Sequence, residues 1–347
     1  MSVCLCNLSA DAALEFAAQK GVEFELASPN PMSFSADPAL VSRKLSGLAD
    51  APHELSGLAD ALPKPVELML GSAKDRRSTT GVAYHVWRGG LPRNSFLRID
   101  EGVYVTSPEL TLLMQANQLH QVSRCQVLGR YLGTWTPTKE SARGQDERAP
   151  LVTFDSLVSF CAGIKRSRGK SNLKLAMAYT CDGAASAPET SLQLALCLPP
   201  ELHGFNLPQP TMNYEVGLSS RAQLMYPHET ARIDLCWRNE RFGLEYQGED
   251  HGNQLGEDYA RWFALREEQY ELWYVAKEQL ASATQMDFIA REVAKRIGFE
   301  INEELWPTHS ELRELLDILS GATHPEPVPY EELRKRRVAA RACLRYG

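Results

Sequence analysis

The stretch ARIDLCWRNERFGLEYQGEDHG, residues 231–252, contains two strand-like runs joined by a polar turn. The runs ARIDLCW and FGLEYQG alternate apolar and polar residues, which predicts strands because successive side chains point to opposite faces. The four residues RNER suit a hairpin connection, so we expect the two strands to be antiparallel neighbours. Each run carries a carboxylate in its middle, Asp234 and Glu245, and a hairpin would bring both onto one face.

Two neighbouring carboxylates repel each other, so one must hold a proton unless a cation lies between them. A hard divalent cation such as Mg²⁺ or Mn²⁺ takes oxygen ligands of this kind, polarises a phosphoryl oxygen and lowers the pKa of a bound water. Glu189 opens a predicted helix ahead of the strands and could supply a third ligand or a base. The alternative is that each acid simply faces the solvent, which is the usual role of a single carboxylate in a strand.

The segments around the two strands predict an α/β arrangement. Residues 186–199 begin with Ser186, Pro188 and Glu189 ahead of an apolar stripe, which is typical of a helix N-terminus. Further patterns predict strands at 211–217 and 271–276 and helices at 257–270, 286–298 and 310–321.

The length of 347 residues exceeds one ordinary core, so we expect two domains with extensions. We predict a helical extension or linker at 1–62, an α/β region at 63–180, the region with the two acids at 181–300 and a helical extension at 301–347. Within the α/β region the patterns predict a strand at 82–87, a hairpin at 96–105, a helix from 107 and a polar loop at 133–150.

Charge is unevenly distributed along the chain. The formal net charge is -7, but residues 63–180 contain 17 Lys and Arg against 9 Asp and Glu. A basic cluster, KRSRGK, lies in this segment and includes Lys165, Arg166, Arg168 and Lys170. Such a cluster could contact the phosphates of a nucleic acid, and the alternative is a solvated basic face.

Cysteine spacing and hydropathy lead to expectations about the cellular compartment and about membrane contact. The eight cysteines include no CxxC pair, so reduced thiols in the cytoplasm are the expectation. No apolar run reaches the roughly 18 residues of a membrane span, so we expect no membrane partner.

The motifs taken together resemble the PD-(D/E)xK nuclease superfamily. The branch most similar to this sequence contains small proteins related to the very short patch repair endonuclease, with an E-Y-D-G-x-x-H motif. Here that motif runs from Glu245 through Tyr246, Gln247 and Gly248 to His251, and a later D-x-x-R runs from Asp258 to Arg261. The segment LPRNSFLRIDEGVYVTSPELTLL, residues 91–113, resembles abortive-infection type IV antitoxins. The nuclease-like match covers about residues 186–280 and the antitoxin-like match about 80–120.

The resemblance implies an α/β fold with a C-terminal, restriction-endonuclease-like mixed sheet flanked by helices, preceded by a smaller α/β domain. It also implies roles for individual residues. Asp234, Glu245 and the backbone carbonyl of Tyr246 would bind the metal, and Glu189 would be the helix-borne acid. Gln247 would orient the nucleophile, and His251 and Arg261 would lie near the scissile phosphate or brace the site.

The sequence departs from the family pattern at three positions. Ile233 stands where the superfamily has Pro, Gln247 where most members have Lys, and Glu109 where the antitoxin-like pattern has Arg. Loss of the Lys removes a cation that would stabilise the transition state, which bears directly on activity.

Three functions follow from these patterns. The first is hydrolysis of DNA phosphodiester bonds with Mg²⁺ or Mn²⁺. The second is a catalytically weak or inactive nuclease-fold module that acts as an antitoxin-like regulator and binds DNA or a partner protein such as a toxin. The third is a purely structural or protein-interaction role, which predicts that neither metal nor nucleic acid binds.

Overall fold

The computed structural model describes residues 2–48, 55–138, 141, 144–165, 167–248 and 255–326. These residues form two compact units, and the chain passes between the units more than once. The first unit takes its residues from 1–118, 136–138 and 146–174, and the second from 119–135, 139–145 and 175–347. Both units combine helices with a mixed sheet, so the α/β class predicted from the sequence is confirmed.

A six-stranded sheet forms the centre of the first unit, in the order β2-β5-β6-β1-β3-β4. The β5–β6 pair is the antiparallel hairpin that the sequence predicts. The strands are β1 (Val3–Leu5), β2 (Glu25–Ala27), β3 (Val66–Leu70), β4 (Val82–Val86), β5 (Phe96–Asp100) and β6 (Val103–Thr106).

The N-terminal residues differ from the predicted extension at 1–62. Strand β1 lies between β6 and β3 in the sheet, and β2 pairs with β5. Val3, Cys4 and Leu5 are almost fully buried. A three-residue strand is too short to show alternation, so its pairing with distant segments leaves little trace in the local sequence.

A four-stranded mixed sheet, in the order β12-β11-β10-β9, belongs to the second unit. Its strands are β9 (Thr211–Gly217), β10 (Thr230–Trp237), β11 (Phe242–Gln247) and β12 (Glu271–Ala276). Strands β10 and β11 form the predicted antiparallel hairpin, with Leu235 opposite Leu244 and Trp237 opposite Phe242. Strand β12 is parallel to β11, and β9 is antiparallel to β10.

Residues 133–150 are not entirely the loop that their polar composition predicts. Two short strands in this region, Trp135–Pro137 (β7) and Gln145–Glu147 (β8), pair as a small sheet of their own. Trp135 and Thr136 are buried, which the polar composition of the segment does not predict.

The helices predicted at 186–199, 257–270, 286–298 and 310–321 are present, with ends shifted by up to three residues. The helices of the first half are α1 (Asn7–Lys20), α2 (Pro38–Gly47), α3 (Leu58–Ala61), α4 (Pro108–Gln115), α5 (Gln121–Leu132), α6 (Phe154–Gly163) and α7 (Arg168–Met177). Those of the second half are α8 (Ala187–Cys197), α9 (Leu255–Glu267), α10 (Lys277–Leu280), α11 (Ala283–Arg296) and α12 (His309–Leu319). None of the described helices combines the length and apolar character that crossing a bilayer requires. The part of the predicted helical extension that follows residue 326 lies outside the described residues.

Two helices place the acidic strands in the second unit. Helix α8 packs against β10, and α9 packs against β10 and β12. Ala264 and Leu265 of α9 share a buried cluster with Ile233 of β10 and Leu272 of β12. The burial of this apolar surface fixes α9 on the sheet and so sets the positions of its polar side chains.

Candidate functional site

The hairpin brings Asp234 and Glu245 together as predicted. The last pair of its register is Leu235 with Leu244, directly before the two acids, and the charge of Glu245 acts on Asp234. The backbone N–H of Tyr246 donates to Asp234 Oδ2 at 2.8 Å, which holds the Asp234 carboxylate against β11. Only 3% of Glu245 is exposed, although it is an acid in the middle of a strand.

The proximity of these acids changes their affinity for protons. Burial, and then the negative charge of Glu245, raises the pKa of Asp234 to about 8. Burial also raises the pKa of Glu245, against the opposing effect of Arg261. The pair therefore retains a proton near neutral pH when no cation is bound, because two adjacent buried carboxylates do not both ionise.

Arg261 of α9 provides positive charge at this pair. Its Nη2 donates to Glu245 Oε2 at 2.7 Å, and its Nη1 donates to the Arg232 carbonyl at 2.8 Å. Burial opposes the charge on Arg261, but the Glu245 and Asp234 carboxylates raise its pKa above the usual value. The D-x-x-R motif thus places a bracing arginine on Glu245, and contact of Arg261 with a phosphate stays a prediction.

One oxygen of Glu245 lacks a hydrogen-bond partner. Oε1 is buried and receives no hydrogen bond from the described residues, whereas Oε2 is bound by Arg261. An unpaired buried carboxylate oxygen is costly, since it has lost its hydration without gaining a donor. Such an atom is expected where a cation or a water completes the site.

Glu189 lies at the N-terminus of α8, close enough to interact electrostatically with the pair. Its Oε1 accepts from the Ser186 hydroxyl at 2.8 Å and its Oε2 accepts from the Ala185 N–H at 2.8 Å. Burial, and then the charge of Asp234, raises the pKa of Glu189 to about 7. Much of the hydrogen-bonding capacity of Glu189 is used within the chain, which favours a supporting role over direct metal binding.

Asn213 is a site residue that sequence reasoning missed. Its Nδ2 donates to Glu189 Oε2 at 2.6 Å and to the Gly183 carbonyl at 3.0 Å, so it links β9 to the acid of α8. Asn213 has φ 45° inside a strand, a left-handed conformation that Asn tolerates better than most residues. The one signal in the sequence is an Asn within the strand pattern TMNYEVG, where Asn is depleted.

The donor set fits a hard cation that keeps part of its water shell. Asp234 and Glu245 offer carboxylate oxygens, one of which has no internal donor, and Mg²⁺ is often held by only one or two carboxylates. Within the described part of the chain, no group of three or more His, Cys, Asp or Glu side chains could hold a metal ion. The site is therefore a two-carboxylate arrangement, with Glu189 nearby, and the ligand role of the Tyr246 carbonyl stays a prediction.

The other predicted site residues are distributed differently. Gln247 ends β11, is half-buried and shares the face of Glu245 by strand alternation. Lys165 is exposed, and Lys170 donates to the Ile164 carbonyl at 2.6 Å, which neutralises the C-terminal end of α6. Both lysines belong to the first unit. Arg166, His251 and the side chain of Arg168 lie outside the described residues.

Comparison with known proteins adds no identification. No protein-family model, no curated protein and no solved structure matches this chain. The chemistry of the site must therefore be argued from its own residues.

Proposed function

We propose that the second unit is a metal-dependent nuclease that hydrolyses phosphodiester bonds in DNA. The observation that carries this proposal is the buried pair Asp234 and Glu245, with one Glu245 oxygen that receives no hydrogen bond from the described residues. A buried pair of this kind is destabilising unless a proton or a cation neutralises it. Pairs of titratable groups with strongly perturbed pKa values are also typical of functional sites.

The order of the elements supports a restriction-endonuclease-like fold for this unit. Helix α8 with Ser186 and Glu189 comes first, and the hairpin β10–β11 then carries Asp234 and Glu245. Helix α9, with Arg261, follows before β12. This is the sequence of elements that the resemblance to the PD-(D/E)xK superfamily implies.

Each residue has a role in the proposed reaction. A bound Mg²⁺ or Mn²⁺ would activate water and polarise the phosphoryl group. Asp234 and Glu245 hold the cation, and Glu189 accepts or orients a proton near it. Gln247 has both a donor and an acceptor and can orient the attacking water from the same face as Glu245. Arg261 fixes Glu245 and restrains the motion of its carboxylate.

A second candidate function is binding without efficient catalysis. The Arg261 guanidinium already bonds one of the two proposed metal ligands, so the chain itself supplies part of the neutralising charge. Gln247 also lacks the positive charge of the usual Lys. Both features favour a nuclease-fold module that acts as an antitoxin-like regulator, contacting DNA or a partner protein.

Calorimetric titration of the full-length protein with Mn²⁺ and Mg²⁺ tests the metal site. We expect wild type to bind, Asp234→Asn to lose binding and Glu215→Gln to retain it. Glu215 is a suitable control because it lies on the adjacent β9 with 52% of its side chain exposed. If wild type binds neither ion, the metal-dependent proposal is wrong.

A cleavage assay then separates the two functions. Single-stranded, nicked and mismatched DNA are incubated with wild type and Asp234→Asn in the presence of Mn²⁺. Cleavage by wild type alone supports the nuclease. Metal binding without cleavage, together with DNA binding that weakens steeply as salt increases, supports the regulator.

A further inference from the structure

A polar cavity lies at the turn of the hairpin formed by β10 and β11. It has a volume of about 630 Å³ and is lined by the turn residues 238–241 together with residues of β9, the end of β10 and Tyr270, which precedes β12. Volumes of about 300–1,000 Å³ are typical of small-molecule sites. The turn is four residues along each strand from Asp234 and Glu245, or roughly 13 Å at about 3.3 Å per residue. The lining extends from the turn along β10 as far as Cys236, and it includes none of the carboxylates Glu189, Asp234 and Glu245.

Arg238 gives the cavity a positive charge. Its guanidinium lies 4.7 Å from the centroid of the Tyr214 ring, and no carboxylate among the described residues forms an ion pair with it. A cation held over an aromatic face keeps its donors available to a ligand in the plane of the guanidinium.

Arg241 also lines the cavity and contributes a second guanidinium group. Its backbone has φ 49°, an uncommon left-handed conformation for a residue with a long side chain. Its Nη1 donates to the Glu268 carbonyl at 3.2 Å and to Gln269 Oε1 at 3.0 Å. These contacts hold the guanidinium in place, and its charge also acts on the Glu268 carboxylate. Glu240 also lines the cavity, so two guanidinium groups face one carboxylate.

The remaining wall suits a flat ring. Tyr270, Pro208 and Ile297 supply aromatic and aliphatic surface, and the exposed Asn239 supplies an amide with both donors and an acceptor. Burial, and then a hydrogen bond with Tyr214, raises the pKa of Tyr270 to about 12, so its hydroxyl stays protonated and paired with Tyr214. The cavity thus combines cationic groups, an aromatic wall and one amide.

We propose that this cavity binds a nucleoside monophosphate. The guanidinium groups of Arg238 and Arg241 contact the phosphate, the base packs against Tyr270 and Ile297, and the amide of Asn239 pairs with the edge of the base. Arg binds phosphate through several charge-assisted hydrogen bonds, which makes two arginines a strong anchor for a single phosphate. The site needs no metal and goes beyond the proposed nuclease function.

Titration calorimetry of the full chain in EDTA tests this proposal, with AMP, adenosine and inorganic phosphate as probes. We expect AMP to bind more tightly than either fragment, and Arg238→Gln to weaken binding about tenfold or more. Arg221→Gln is the matched control, because Arg221 is an exposed arginine of the same unit that pairs with Glu267. It should bind AMP as wild type does.

Three outcomes would overturn the proposal. They are the absence of AMP binding, equal AMP binding by wild type and Arg238→Gln, and binding of phosphate as tight as that of AMP. The same titration in Asp234→Asn keeps the two proposals apart, since that variant should still bind AMP. If Asp234→Asn loses Mn²⁺ binding but still binds AMP, the substitution affects the carboxylate site and leaves the proposed AMP site intact.

Discussion

Asp234 lies where protons and cations compete for the same oxygens. Its pKa of about 8 in the folded state is well above the value of about 3.9 expected in an unfolded chain. The folded state therefore binds more protons between these values, and its stability decreases as pH rises through that window. The raised pKa values of Glu189 and Glu245 act in the same direction.

We expect the metal-free protein to lose stability between pH 5.5 and pH 9, and Asp234→Asn to lose less. The Asn side chain cannot ionise, so at high pH no negative charge is buried at this position. Urea unfolding in EDTA at both pH values measures the difference. The exposed Glu215→Gln should follow wild type, and an equal pH dependence in wild type and Asp234→Asn would contradict the assignment.

The ion pair between Arg261 and Glu245 should contribute to the stability of the fold. The Arg261 side chain is 22% exposed and that of its partner Glu245 only 4%. Removal of one partner from a buried ion pair commonly costs about 3–5 kcal/mol, so Arg261→Gln should lower the free energy of unfolding by about 3 kcal/mol at pH 8. Added Mn²⁺ should restore part of that loss, because a cation replaces the missing charge.

The exposed pair of Arg232 and Glu215 is the control for this measurement. Both side chains are more than half exposed, so Arg232→Gln should cost less than about 1 kcal/mol. A loss in Arg261→Gln no larger than that of the control would show that Glu245 is neutralised by another group.

At the scale of the element, the hairpin depends on close packing at Gly243. A Cβ at this position would lie 2.3 Å from Ile233 Cγ2 and 3.1 Å from the Leu235 carbonyl oxygen. Ile233 is fully buried beneath α9 and cannot turn aside. The strand that carries Glu245 therefore requires Gly at this point.

Gly243→Ala should destabilise the protein by about 1–3 kcal/mol, the usual range for overpacking. Because the added methyl group pushes β10 and β11 apart, Mn²⁺ binding should weaken as well. Gly217→Ala, at the end of β9, is the control, since a Cβ there meets nothing within 4 Å. Thermal melts of both variants measure the effect, and equal melting temperatures would contradict it.

The hairpin was predictable from the sequence because local alternation alone determines which side chains share a face. The acids Asp234 and Glu245 were therefore identified, and Ser186 with Glu189 marked the start of α8. Asn213 was not identified, because its left-handed backbone and its bond to Glu189 depend on tertiary context. The bond from Arg261 to Glu245 likewise depends on how α9 packs, which no spacing within the motif determines.

At the scale of the whole molecule, the second unit includes a helix from far upstream. Helix α5 packs against α8 and α12, and Gly129 of α5 approaches Thr190 so closely that a Cβ would lie 2.6 Å from its methyl group. Leu128, Tyr131 and Leu132 of α5 are buried. A boundary near residue 180, as sequence patterns suggest, would remove this helix from its partners.

A fragment of residues 181–347 should therefore fold poorly. Without α5 the apolar surfaces of α8 and α12 are exposed, so we expect loss of a cooperative thermal transition and binding of the dye ANS. A fragment of residues 119–347 retains α5 and should melt cooperatively. Circular dichroism of both fragments checks the expectation, which would be wrong if 181–347 melted as sharply as the longer fragment.

The upstream position of α5 also matters while the ribosome makes the chain. Helix α5 emerges long before α8 and α12, the two helices against which it packs. At a synthesis rate of about 5–20 residues per second, its apolar side would wait on the order of ten seconds or more for α12. During translation that surface is a natural target for chaperones, so the yield of folded protein in cells should depend on how quickly the remainder of the chain is synthesised.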